Sequence, residues 1–405
     1  MSLFCEIIDL ALHPDKNCDF SDTQKKTVQD DLSTLIEISR NHKMLTAFLD
    51  GLQKLDISVP AEIQSALRRE VLLLCDNSYR MLDFTRNLLA VMSEEQVTYY
   101  VLKGITLLPC YPKPEYRTFG DVDILIPDPS EFDRIKNRLV SEGFHAQETF
   151  AEHHLELVCM FRGRPCCLEL HSKVIADQAD PSFNRTVHRY FSRVSPVVDT
   201  FPEIGCSFAL FPHTENALYL LLHMLQHFLS SGFGLKLLCD WCLYLERNGS
   251  LIDTQTFRSK LGELGLQRFC DAVTLACQKI GLPESVAASF LSDAPPDEAY
   301  MQLFMDEVFS SGEHGHSDSS RMSVISQSGG FKKYFYELNV HMKRRFHRLG
   351  KIVPLYPVLW IITIFCFIWN NHFVRHVSTR DILSTANARG RLIDELKLYK
   401  PQQHE

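Results

Sequence analysis

Residues 118–126 read Thr118-Phe119-Gly120-Asp121-Val122-Asp123-Ile124-Leu125-Ile126, and the way that run alternates decides the fold. Its β-branched and apolar residues predict a strand, stopped by Pro127 and Pro129. Successive side chains on a strand point to opposite faces. Val122, Ile124 and Ile126 therefore share a face that a core would cover, and Asp121 and Asp123 share the other. Two anions that close raise one another's pKa unless a cation sits between them. Magnesium is the natural cation, since it is hard and is commonly held by one or two carboxylates together with substrate phosphates. An Asp-x-Asp pair also occurs as a solvated strand end, so the pair alone leaves two readings open.

The flanks add to the pattern. Upstream, Val97-Thr98-Tyr99-Tyr100-Val101-Leu102 is β-branched and aromatic and predicts a strand closed by Lys103-Gly104. Downstream, Phe132, Ile135 and Leu139 mark one face of a helix over about 130–142, with Gly143 as its stop. Residues 155–161 and 166–171 then read as a hairpin around Arg162-Gly163-Arg164-Pro165. The second arm carries Glu169, 46 positions after Asp123. If it pairs beside the Asp121/Asp123 strand, a third carboxylate reaches the same edge. Three carboxylates can hold two ions about 3.5–4 Å apart, the spacing of two-metal phosphoryl chemistry. His171 shares the face of Glu169 and has three open readings: orienting a carboxylate, touching phosphate, or a structural hydrogen bond.

These strands and the helix between them predict an α+β protein, a mixed sheet core flanked by N-terminal and C-terminal helical regions. The expected organisation is a helical region at 1–96, the core at 97–205 and a helical domain at 206–310. A Gly/Ser-rich flexible loop at 311–330 and a basic, then apolar, helical segment at 331–405 complete it. In the first region Leu32, Leu35, Ile36 and Ile38 start an apolar face, and Pro60 opens a long helix.

The 405 residues are 45% hydrophobic and 11% aromatic, enough apolar surface to order the chain. The net charge is −8 and the pI about 6.1, which excludes the general basic footprint of nucleic-acid binding. Thirteen cysteines with no export signal at the start predict reduced thiols and a cytoplasmic location.

Taken in order, Leu102-Lys103-Gly104, Arg117, Gly120-Asp121-Val122-Asp123, Gly143-Phe144, His153-His154 and Leu168-Glu169-Leu170-His171 carry a resemblance. The chain resembles the polymerase-β-type nucleotidyltransferase superfamily, and more closely its family of uncharacterised nucleotidyltransferases. The likeness spans about 60–370, with His223, His227 and Asp240 as its downstream helical part. The resemblance implies transfer of a nucleoside monophosphate from an NTP to an acceptor, with Mg²⁺, two ions expected. It implies Asp121, Asp123 and Glu169 as catalytic metal ligands, Glu169 doubling as a proton acceptor. Lys103, Gly104, Arg117, Gly120 and His171 are then the nucleotide-binding positions. The acceptor stays open between a small molecule, a protein and an RNA end. The superfamily usually has Gly-Ser or Gly-Gly at the phosphate-binding turn, where this chain has Gly104-Ile105. That departure keeps a second reading alive, a catalytically silent nucleotide- or partner-binding module.

Two other motifs and one segment remain. His223 and His227, at i and i+4, share a helix face without a His-Glu-x-x-His pattern and read as structural or acceptor-site residues. Cys239-Asp240-Trp241-Cys242 lacks a second pair and reads as buried thiols. Residues 352–369 carry no charge and follow Lys343, Arg344, Arg345, Arg348 and Lys351. A core helix, a membrane span and a peripheral membrane contact are all compatible with that stretch, the last as a membrane-associated accessory role.

Overall fold

The computed structural model describes residues 2–16, 19–147, 153–178, 180–230, 232–312, 338–339, 342–343, 345–346, 349–369 and 390–399. The loop expected at 311–330 lies almost wholly outside the described residues.

The chain opens with α1 (Ser2–Leu12), α2 (Asp22–Asp30), α3 (Leu32–Asn41) and α4 (Leu45–Lys54). A capping box on Ser21 and Gln24 starts α2 by satisfying two backbone donors reciprocally. Helix α5 (Ala61–Glu94) then runs 34 residues from Pro60. Its last turns bury Met81, Phe84, Leu88 and Met92 against the sheet.

The sheet is built from β1 (Tyr100–Leu102), β2 (Asp121–Leu125), β3 (His145–Ala146), β4 (His154–Phe161) and β5 (Arg164–His171), with α6 (Pro129–Ser141) between β2 and β3. Among the described residues its order is β1-β2-β5-β4-β3. β2 and β5 are parallel, and the other pairs are antiparallel, so the sheet is mixed as expected. The β4–β5 hairpin closes through Arg162 (φ 49°) and Gly163 (φ 76°), two consecutive left-handed residues that match a two-residue hairpin turn. β1 is shorter than the expected strand at 97–102, because α5 ends only at Glu94 and a turn occupies the next residues.

A part of the core was not anticipated. After α7 (Pro181–Phe191), β6 (Val197–Phe201) and β7 (Cys206–Leu210) form a separate antiparallel pair inside the 97–205 boundary and just beyond it. The helical domain follows as α8 (His213–Ser230), α9 (Leu235–Asn248), α10 (Thr254–Leu264), α11 (Gln267–Gln278), α12 (Glu284–Ala287) and α13 (Glu298–Ser311). Phe228, Trp241, Phe257, Phe269 and Phe304 fill its interior. Cys239 and Cys242 are buried in α9, and every described cysteine is a free thiol.

The two faces of the sheet meet different neighbours. Val122, Ile124, Leu168 and Leu170 join α5 and α6 in one apolar cluster. Tyr100, Leu102 and Leu125 join the larger cluster of the helical domain. Asp121, Asp123 and Glu169 lie on this second face, and the helical domain closes over it.

The C-terminal segment forms α14 (Tyr356–Trp369). Leu359 and Thr363 are buried, and the Trp360 indole donates to Asn339 Oδ1 at 2.8 Å. The remaining face is open: Ile361 is 68% exposed and Phe365 61%. A core helix is therefore not what residues 352–369 make. No helix among the described residues is long and apolar enough to cross a membrane.

Candidate active site

Register, more than any single residue, assembles the site. In the β2–β5 pairing Asp121 lies opposite Cys167 and Asp123 opposite Glu169. Paired residues share a face, so all three acids point toward the helical domain. Asp123 is 2% exposed, whereas Asp121 is only half-buried at the start of the strand. Ligand atoms of Asp123, Glu169 and His171 lie within 4.8 Å of one another, and Asp121 stands outside that group.

Buried anions need compensation. Lys103 Nζ lies 3.1 Å from Asp123 Oδ1. His171 Nε2 lies 3.1 Å from the same oxygen and 3.4 Å from Glu169 Oε2. His154 Nε2 is 3.8 Å from Glu169 Oε1. Burial pushes the Glu169 carboxyl up, but the His171 hydrogen bond and the Lys103 charge outweigh it and hold the group at about 2. A carboxylate that acidic is a weak proton acceptor and a good cation ligand, so the ligand role suits Glu169 better than the base role. Burial pulls the His171 imidazole down, while its bonds to Asp123 and Glu169 raise it by more. Burial works against the Lys103 ammonium, and the Asp123 and Asp121 carboxylates more than restore it.

Lys103 is placed by an unusual backbone. It has φ 22° and Gly104 has φ 51°, so both residues at the end of β1 are left-handed. Such a turn at a non-glycine residue stores strain of order 1–3 kcal/mol and is held by its surroundings. A Cβ on Gly104 would meet only Asp123 Oδ2 at an ordinary 3.8 Å, so glycine is favoured here by conformation and not by space. A 3₁₀ segment, Gly104–Cys110, follows in place of a longer helix. Ile105 is buried in the apolar cluster, and Thr106 Oγ1 donates to the Lys103 carbonyl.

Two expected nucleotide contacts are placed differently. Arg117 is 3% exposed, and its Nε and Nη2 donate to Asp240 Oδ1 and Oδ2 at 2.7 and 2.8 Å. Tyr111 adds a third bond to Asp240. A buried bidentate pair of this kind fixes β2 to α9 and takes that edge of the guanidinium away from any phosphate. Gly120 is exposed, and a Cβ there would meet nothing within 4 Å, so close approach does not explain the glycine.

The helical domain supplies His223, expected as a structural or acceptor-site residue, and two residues that the sequence did not single out, Tyr219 and Lys236. Tyr219, on α8, is buried where burial raises its hydroxyl pKa, with Lys103 and Asp123 both felt. His223 stacks beside it with ring centroids 6.3 Å apart and is kept neutral by burial. Lys236, in the first turn of α9, is drawn down to about 7 by burial and by the Arg117 charge. Lys103, His223, Asp240 and Trp241 line a small cavity between sheet and helices. The legible signal for Lys236 was one cation inside the apolar run Phe233-Gly234-Leu235-Lys236-Leu237-Leu238. His227 packs against His223, ring centroids 4.5 Å apart, and forms no three-ligand group with it among the described residues.

The arrangement can hold a hard cation. Asp123 presents a buried carboxylate and Glu169 a half-buried one at one place, Asp121 adds a third on the same face, and the His171 ring bridges two of them. Oxygen donors of this kind fit magnesium.

A model of a family described as uncharacterised nucleotidyltransferase matches residues 29–281, which contain every residue of the candidate site. That span begins and ends earlier than the 60–370 expected from the motifs. No curated protein matches the chain. A crystal structure of an antigenic nucleotidyltransferase-like protein from Paracoccidioides brasiliensis is similar over 54% of this chain and 94% of its own, with 14% identity and a TM-score of 0.35.

Proposed function

Because this chain belongs to the family of uncharacterised nucleotidyltransferases, we propose that it moves a nucleoside monophosphate from an NTP to an acceptor hydroxyl with magnesium. The observation that carries this reading is the convergence of Asp123 and Glu169, distant in sequence, with Asp121 on the same face. Asp121, Asp123 and Glu169 would hold the ions. Magnesium, when bound, lowers the pKa of an acceptor oxygen and neutralises the departing pyrophosphate. The chain's own groups do the positioning. Glu169, kept ionised by the His171 hydrogen bond and the Lys103 charge, would serve as a ligand. Lys103 turns its ammonium from Asp123 toward the phosphates, where an N–H···O bond to an anion is strong. The acceptor oxygen bonds to the α-phosphorus, the bond to pyrophosphate breaks, and the acceptor proton passes to water. Arg117 and Asp240 act as positioning residues that hold sheet and α9 in register.

The test incubates the protein with α-labelled NTPs, Mg²⁺ and hydroxyl-bearing acceptors, and follows pyrophosphate release. Label should transfer, and Asp123→Asn should slow it by more than about 100-fold, since even outer-shell changes at metal sites cost 10–100-fold. NTP binding without turnover, unaffected by Asp123→Asn, would select the silent-module reading that Ile105 keeps open.

A peripheral membrane contact has its own observation. The exposed face of α14 is apolar, with Val358, Ile361, Ile362, Ile364 and Phe365. Exposed Lys343 and Arg345 precede it in a chain of net charge −8. That pairing suits an anionic lipid surface. The helix has 14 residues, about 21 Å, against about 30 Å of hydrocarbon. Flotation with phosphatidylserine vesicles should recover the protein, less so with added salt, and Ile361→Asp with Phe365→Asp should abolish recovery. Equal recovery with neutral vesicles, or none, would remove this contact.

A further inference from the structure

Three histidines stand beside the carboxylates and are not consumed by the proposed transfer. His154 opens β4 and His171 closes β5, and the two are register partners. His153 precedes them, and its carbonyl accepts from Ser172 N and Lys173 N, which fixes it to the same sheet end. The rings are crowded. Centroids lie 4.5 Å apart for His153 and His154, 5.1 Å for His154 and His171, and 5.5 Å for His153 and His171. One ring nitrogen from each lies within 4.8 Å of the other two.

Their hydrogen bonding is incomplete. His153 is 9% exposed and His171 4%, yet Nδ1 of each is buried with no partner. An unsatisfied buried polar atom costs roughly 1–3 kcal/mol. The orphan on His171 points to something that binds nitrogen; the orphan on His153 is the ring nitrogen other than the one that faces His154. His153 Nε2 and His154 Nδ1 are 3.1 Å apart. That is near the edge, roughly 3.3 Å, of a tetrahedron with Zn–N bonds of about 2.0–2.1 Å. Nε2 of His171 faces Asp123 and Glu169, which leaves its orphaned Nδ1 for an ion. A carboxylate behind a histidine is the usual way such a ligand is oriented.

We propose that His153, His154 and His171 bind a transition-metal ion of the zinc class, at a site adjacent to the carboxylates and distinct from them. Imidazole donors select zinc, copper, iron or nickel, whereas magnesium needs oxygen. The two sites share the His171 ring, one edge toward each. Three nitrogens leave a fourth position on a tetrahedral ion for water or another oxygen ligand.

The experiment titrates the full chain with Co²⁺, a visible-absorbing stand-in for zinc, and measures retained zinc after equilibrium dialysis. One equivalent should bind with tetrahedral d–d bands. His153→Gln and His154→Gln should each weaken binding at least about 10-fold, with circular dichroism confirming the fold. Asp121→Asn, which alters the oxygen site alone, should leave the cobalt spectrum unchanged. Absent cobalt bands, or binding equal to wild type in both glutamine variants, would overturn the proposal. If one glutamine variant fails to fold, the other decides. The readout is ion binding, so the outcome stands whether or not nucleotide transfer is found.

Discussion

The two faces of one five-residue strand divide the molecule's work. On one face of β2, Val122 and Ile124 are 1% and 0% exposed and join an apolar cluster with residues of α5, α6 and β5. On the other, Asp123 is 2% exposed and meets a lysine, a histidine and a second acid. Burial is equal, and its energetic meaning is opposite. The apolar face stabilises the fold by roughly 25 cal/mol for each Å² removed from water. The polar face is stable only through mutual compensation, and ion pairs of this kind add little net stability over apolar packing. A fold keeps such a face for what it can bind.

Asp240→Ala should test the compensated side hardest. It strands the Arg117 guanidinium, whose side chain is 4% exposed, and removes the acceptor of Tyr111. A loss of about 3–5 kcal/mol in urea unfolding is expected; a loss under about 1 kcal/mol would mean that the pair is a spectator. Ile124→Ala should follow on the apolar side, with about 2–5 kcal/mol lost. Nucleotide transfer per folded molecule should persist in that variant, and its loss would break the division between faces.

His153→Gln addresses the pH dependence of the polar side. Burial, together with neighbouring His171 and His154, holds His153 at about 3 against an ordinary 6.5. The neutral ring's contribution is complete above pH 6.5 and is lost as pH falls toward 3, because only the unfolded chain takes the proton. Wild-type unfolding free energy should carry an extra slope of at most about 1.4 kcal/mol per pH unit across that window. The variant should lack it, and identical slopes would refute the assignment. Asp121→Asn should have the smallest effect on stability, within about 0.5 kcal/mol for a half-exposed side chain. Label transfer should still fall by more than about 100-fold. Stability and transfer falling together would show that this acid is structural.

Much of this division was legible in the chain itself. The alternation in 121–126 assigns each residue its face, and the spacing of Glu169 and His171 on a second strand puts them on the acidic side. What periodicity does not carry is which helix closes over that side. Tyr219 and Lys236 sit in helices whose apolar patterns look like ordinary core, and only tertiary packing brings them, with His223, to Lys103. Arg117 is expected at the nucleotide from its motif, and its actual partner, Asp240 on α9, lies 123 positions away where no local pattern shows it. β6 and β7 carry no such signal, because Val197 and Val198 are exposed and the strand shows no buried alternation. The exposed face of α14 is one of three readings its sequence allows, since an uncharged run looks alike whether buried or bare.

The ammonium resting against Asp123 carries one more implication. The pocket arrives with a counterion of its own, so chelators should leave the native state standing. Loading then becomes an exchange of one positive group for another. A triphosphate that draws the ammonium aside would vacate that place, and the nucleotide and the divalent ion should each tighten the other's affinity by the same factor.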